Sequence, residues 1–127
     1  MERGIEIMTA VCLLVTGLSH VLRPRAWVDF FVMLRERREA GVIATGLLHL
    51  PLAVLIVAFH HRWTGVPAVV TVLGYAWLLK ATLYLTFPRV GLMSLGRVSV
   101  KRSHEFVVAG WVLIGVGALV AYSVSVA

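Results

Sequence analysis

The sequence predicts an all-α integral membrane protein, a four-helix bundle of two helical hairpins with an interfacial amphipathic segment after the first helix. Composition and segmentation carry that class. The 127 residues are 60% hydrophobic and only 14% charged, with a mean hydropathy of +0.92, and so few polar residues cannot clothe a water-soluble globule of this size. The apolar residues also fall into four runs, near 4–22, 40–59, 66–87 and 106–127. Each approaches the roughly 20 helical residues that cross a hydrocarbon core of about 30 Å. Lipid offers the backbone no hydrogen-bond partner, so runs of this length become helices, and the alternation of a barrel strand is missing. The expected organisation is one transmembrane domain over 1–127.

The first run carries Glu2 and Glu6 where a secretory leader would be basic, and no small-residue cleavage site follows it, so it is expected to be a retained span. Cys12, the only cysteine, lies inside it, which excludes an intrachain disulfide and a CxxC redox pair. His20 stands beside Ser19 near the end of the run and reads as an interfacial residue.

A charged belt follows, "LRPRAWVDFFVMLRERREAG". Trp27, Phe30, Phe31 and Leu34 fall at i, i+3, i+4 and i+7, which gathers them on one helical face. Arg35, Arg37 and Arg38 project from its end. The expectation is a helix lying in the headgroup layer, with its arginines drawn to anionic lipid or to a partner.

In the second run Ala40 and Ala44 form a small-xxx-small pair suited to close helix packing. Thr45 and His49 lie one turn apart. The run ends at "HHRWTG", where His60 and His61 could meet Glu2 or Glu6 of the first span. Two histidines and a carboxylate can bind a metal. Adjacent helical residues point about 100° apart, so an interfacial turn anchored by Trp63 is the preferred reading and no metal site is predicted.

Thr64 and Pro67 supply a start for the third span. Lys80 lies within it, eight residues before Pro88 and so about 12 Å deep. A charge at that depth is costly and faces a bundle interior, a cavity or a partner unless it snorkels to the surface. Lys80 shares a helix face with Trp77 and Tyr84, and His49 is level with it. Thr45, His49, Lys80 and Tyr84 are therefore expected to form one intramembrane polar cluster. Such a cluster can relay protons, hold an anionic or quinone-like ligand, or tie helices together by hydrogen bonds, the last being preferred.

The second belt, "TFPRVGLMSLGRVSVKRSHE", is interrupted by Gly91 and Gly96 and is expected to be partly irregular. Lys101 and Arg102 close it and are expected, like the first belt's arginines, to contact lipid or a partner. In the fourth run Gly110, Gly117 and Ala121 are placed for helix packing. Pro24 and Arg25 recur 64 residues on as Pro88 and Arg89, Arg38 as Arg102 and Gly46 as Gly110. Span, Pro-Arg, basic belt and span thus repeat twice in plan, giving a 2+2 pseudo-repeat.

Nine arginines and lysines lie in the two belts, whereas only Arg3 and Arg62 lie at the opposite ends of the spans. That asymmetry predicts cytoplasmic belts and both termini outside, in the inner membrane of a bacterium. The same asymmetry explains the formal charge of +6 without nucleic acid.

No nucleophile elbow, HExxH, phosphate loop or paired intramembrane carboxylate is present, so no enzymatic activity is expected. The expected function is that of a structural or accessory subunit packing against a larger membrane complex. The alternative is a small oligomeric transporter or proton or ion pathway through Lys80 and His49. Membrane lipids and other membrane subunits are the expected partners, and a homo-oligomer is compatible with the small-residue faces. No cofactor is predicted. The spans leave contact with a quinone, haem or pigment open, although His20 and His49 differ in depth by about 7 Å, too much for two axial ligands of one haem.

"GLSHVLRP" closing one span and "RERREAGVIATG" opening the next resemble small four-span bacterial membrane proteins of the DoxX-like kind. Some of these are associated with quinone-linked sulfur oxidation. The resemblance implies a quinone-linked redox membrane subunit as a further alternative, and it carries over no catalytic residue.

Overall fold

The computed structural model describes residues Met1–Ala127. The chain is all-helical: α1 (Glu2–Leu22), α2 (Pro24–Glu36), α3 (Glu39–Phe59), α4 (Pro67–Thr86), α5 (Pro88–Leu95), a 3-10 turn (Val100–Arg102) and α6 (Ser103–Val126). Four of these, α1, α3, α4 and the stretch ending in α6, are long and apolar enough to cross a membrane. The first three match the expected runs to within about two residues at each end, and the fourth, Val100–Val126, starts six residues before the expected one.

Prolines set the breaks. A residue before proline is pushed out of the α region, and proline itself is favoured in the first helical turn, where its missing N–H costs nothing. Arg23 before Pro24 has φ −132°, and Phe87 before Pro88 has φ −129°. At those two residues α1 and α4 stop, and the elbow helices α2 and α5 begin. Pro51 sits inside α3, where it withdraws one backbone donor from the ladder.

The joint between α2 and α3 is tight. Arg38 takes φ 55°, the left-handed region that side chains rarely occupy, and Gly41 lies against the Leu34 backbone so closely that a Cβ there would collide with its carbonyl. At the far end Gly65, with φ +67°, turns the chain from α3 into α4.

Helix pairing is the main architectural fact. α1 packs most extensively on α6, and α3 on α4, while α1 and α3, joined by the first belt, touch little. Lipid is as apolar as leucine, so such pairs are held by close approach. Gly17 and Gly110 bring α1 and α6 together: a Cβ on either would stand 2.7 Å from the other's carbonyl oxygen. Gly117 meets Leu13 and Leu14, whereas Gly46 of α3 meets Ala81, Tyr84 and Leu85 of α4. Of the expected packing residues, Gly110 and Gly117 are buried, Ala121 and Ala44 are half-buried against the two cores, and Ala40 is exposed. Gly41 and Gly46, rather than Ala40, make the close approaches of α3.

The apolar face of α2 does not turn toward lipid as the sequence suggested. Leu34 is buried in a core with Val42, Tyr84 and Leu95, and Phe30 and Phe31 pack beside it. Because α1 and α3 stand apart, α2 fills the gap beneath them and gives its apolar side to the bundle. The second belt is half regular, a short α5 followed by an extended stretch and a single 3-10 turn.

Candidate functional site: an aromatic cavity and a sealed polar network

Between the two helix pairs lies a cavity of about 430 Å³, floored by α2. Its polar lining is Thr16, His20, Thr45, His49 and Lys80, and its walls include Trp27, Phe30, Phe31 and Trp77. No carboxylate lines it. Cys12 and Leu48, both exposed, stand at its rim, so it opens through the gap between α1 and α3.

The lysine and histidines are oriented by their own helices. His49 Nδ1 is 2.8 Å from the Thr45 carbonyl, and His20 Nδ1 is 2.7 Å from the Thr16 carbonyl, each one turn back. A carbonyl oxygen can only accept, so both Nδ1 atoms carry hydrogen and each Nε2 is left to act outward. For His49 that partner is Lys80 Nζ at 3.5 Å, a long contact. The Thr45 hydroxyl donates back to the Gly41 carbonyl at 2.9 Å. Lys80 Nζ also stands 5.4 Å above the Tyr84 ring, within cation–π range. The structure thus brings His49 and Lys80 together. It turns the Thr45 hydroxyl away from them and offers only the Tyr84 ring face.

His20, expected from sequence at the interface, is buried among the helices. Its ring stacks on Trp27 at 4.1 Å between centroids and tilts against Phe106 at 5.7 Å. The Trp27 indole N–H donates to the Ser19 hydroxyl at 2.9 Å, which fixes the indole as the cavity floor. The first turn of α2 folds over His20 and covers it.

At the opposite end a second polar cluster joins the helix pairs. The Thr71 hydroxyl gives its one proton to the Arg62 carbonyl at 2.7 Å, so its 2.8 Å contact with His60 requires Nδ1–H as donor. His60 Nε2 then meets Glu6 Oε1 at 3.0 Å, with one proton shared between ring and carboxyl. The Arg62 guanidinium is 3.7 Å from the same oxygen. His60 and Thr71 are fully buried and Glu6 is 4% exposed. Beside the network, the Glu2 carboxylate accepts from the His61 backbone N–H at 3.2 Å. Glu2 and Glu6 do approach the histidine pair, as a possible metal site would need. Both nitrogens of His60 are already engaged, however, the His61 ring takes no part, and no three His, Cys, Asp or Glu side chains are placed to share an ion. Thr9, one turn along α1 from Glu6, is fully buried and carries the only buried side-chain polar atom without a partner.

Among the belt residues, Arg35 is half-buried and its guanidinium donates to the carbonyls of Leu95 and Val98 at 3.4 and 2.8 Å, tying the second belt to the first. Arg37, Arg38, Lys101 and Arg102 are exposed, and Arg102 lies 3.5 Å from Glu105. Sequence reasoning missed His20, Cys12 and Trp27 as cavity residues, and Thr71 altogether. The i to i+7 spacing of His20 and Trp27 across Pro24 was the one available signal for their contact. In comparisons with known proteins, no family model, no curated protein and no solved structure matches the chain.

Proposed function

We propose that this is a multi-pass membrane protein, its belts on the cytoplasmic side, that binds in its central cavity a small amphiphile presenting carbonyl or anionic oxygens to Lys80. The observation that carries this reading is Lys80 itself, an intramembrane donor facing an aromatic cavity of about 430 Å³ that contains no acid to pair with it. Cavities of this size and lining are typical of small-molecule sites. Only one of the three ammonium hydrogens has a side-chain acceptor, His49 Nε2. A ligand oxygen satisfies the others, while Trp27, Phe30 and Trp77 suit a flat or chain-like body. A quinone, as the DoxX-like resemblance implies, fits this chemistry, as does a fatty carboxylate. The same Lys80–His49 pair is the titrating pair of a proton or ion pathway, but a pocket floored by α2 favours holding a ligand over passing an ion.

The 2+2 pseudo-repeat supports a central site. The three residues packed on Gly110 are Gly17, His20 and Val21, and those on Gly46 are Ala81, Tyr84 and Leu85. The second set is the first moved by 64 residues, as are Gly46 and Gly110 themselves. A two-fold relation along the membrane normal also exchanges the α1·α6 and α3·α4 pairs. Leu13 and Trp77, Thr16 and Lys80, and His49 and Leu113 are pairs under the same shift, and all six line the cavity, as a site on such an axis would require.

The test is to purify the protein gently and to identify the organic-soluble molecules retained by wild type and by Lys80→Met. One species retained in constant stoichiometry by wild type and lost from Lys80→Met is expected. Identical extracts from the two proteins would end this reading. A second reading, the accessory subunit, draws on α6: Trp111, Gly115, Leu119 and Tyr122 share its outward face, the three large residues are exposed, and nothing lies near a Cβ built on Gly115. That face is available to another membrane subunit, and constant co-purification of such a subunit tests it.

A further inference from the structure

A second concavity, also about 430 Å³, opens on the belt side between α2, the second belt and the start of α6. It shares only His20 and Phe31 with the central cavity. Its floor is aromatic: Phe31 stacks on Phe106 at 5.6 Å, and His20 tilts against Phe106 at 5.7 Å. Its rim is polar, with Ser94, Arg97 and Arg102, and with Glu105 as the one acid. Glu105 lies 3.5 Å from Arg102, while Arg97 makes no ion pair.

The rim is held in place. Arg35 reaches from α2 to the carbonyls of Leu95 and Val98, on either side of Arg97, so the backbone that carries Arg97 is anchored to the first belt. Arg35 itself is thereby occupied, which leaves at the rim Arg97, with no ion pair, and Arg102, whose carboxylate contact is the half-exposed Glu105 at 3.5 Å. A guanidinium presents paired N–H donors that match two oxygens of a phosphate. From that rim the groove runs to Ala109, which is exposed nearly two turns into α6. A basic rim at the headgroup level, an aromatic floor and an apolar exit describe a phospholipid with its phosphate outermost and its acyl chain along α6.

We propose that this pocket is a specific site for one anionic phospholipid, its phosphate held by Arg97 and Arg102 and the first carbons of its chain lying over Phe31 and Phe106. This differs from general attraction of a basic belt to an anionic leaflet, which acts through all exposed charges alike and is screened by salt. Since the pocket's floor is also the wall of the central cavity, a bound lipid would brace His20 and Phe31 from the belt side.

The experiment uses the full chain in phosphatidylcholine nanodiscs doped with a minor fraction of phosphatidylglycerol, followed by native mass spectrometry of the released protein. Wild type is expected to keep one phosphatidylglycerol. The double variant Arg97→Gln/Arg102→Gln is expected to keep about tenfold less, the loss that one charge-assisted bidentate contact implies. Arg25→Gln/Lys101→Gln removes the same charge from belt positions outside the pocket and is expected to behave as wild type. Arg97→Gln alone, with unfolding temperature as the check on folding, is expected to reproduce most of the loss. Equal retention by both double variants, or equal loss from both, would overturn the proposal. Displacement of the lipid by inorganic phosphate alone would also overturn it, because a headgroup anion without a chain would then suffice.

Discussion

The two polar clusters between the helix pairs are built from similar residues and differ in what they leave open. At the far end Glu6, His60 and Thr71 are buried, and every polar group in the set has a partner within the chain. At the belt end Lys80 and His49 meet at 3.5 Å beside a cavity that has no acid. The first arrangement closes on itself and ties α1 to the turn between α3 and α4. The second ends in unfilled donors. A buried histidine is therefore not by itself a sign of function here. What separates the two is whether the cation beside the histidine faces an acid of the chain, as Arg62 faces Glu6, or an acid-free cavity, as Lys80 does.

Breaking the far cluster has the largest expected effect. His60→Ala leaves Glu6 buried with only a distant arginine, and removal of one partner of a buried pair costs about 3–5 kcal/mol. Thermal unfolding in detergent should fall accordingly. Glu6→Leu/His60→Leu should recover most of the loss, because nothing charged then remains buried. Failure of the double variant to recover would mean that the cluster does more than join helices.

At the cavity the signs reverse. Lys80→Met removes a donor whose partner contact is long, so unfolding should change by less than about 1 kcal/mol, as for an isolated weak pair. Ligand affinity should fall by about tenfold or more, since hydrogen bonds to a charged group are worth about 1.5–3 kcal/mol. A large loss of stability in Lys80→Met would make the two clusters alike and contradict the contrast drawn above.

Smaller effects sharpen the boundary of the cavity. Trp27→Phe keeps the stack on His20 but removes the bond to Ser19, and a net cost of about 0.5–1.5 kcal/mol is expected. Alkylation of Cys12 at the rim by a lipophilic maleimide should quicken as the floor loosens. Arg38→Gly should act in the opposite direction: relief of a left-handed side chain is worth about 1 kcal/mol, read as a slight rise in unfolding temperature.

The four spans were legible because burial in lipid demands length and apolarity, which composition records directly. The breaks before Pro24 and Pro88 were legible for a local steric reason. The pairing of α1 with α6 was not, since many glycines occur in apolar sequence and only the fold selects Gly17 and Gly110 as partners. Lys80 and His49 were matched by depth, which needs only a rise per residue. The depth of His20 was legible, but its cover, the first turn of α2, comes from a chain reversal that depth cannot register. Glu6 and His60 were placed near one another by the same counting. That they form a hydrogen-bonded network with Thr71 depends on ring orientation, and no spacing in sequence carries that.

The central claim is best tested by titrating the protein with decylubiquinone and, separately, with oleate in nanodiscs while following tryptophan fluorescence in a Trp63→Phe/Trp111→Phe background, which leaves Trp27 and Trp77 at the cavity. Saturable quenching or enhancement with at least one ligand, weakened about tenfold by Lys80→Met, is the predicted result. A linear, non-saturating response, or identical curves for the lysine and methionine proteins, would contradict a cavity that binds its ligand through Lys80.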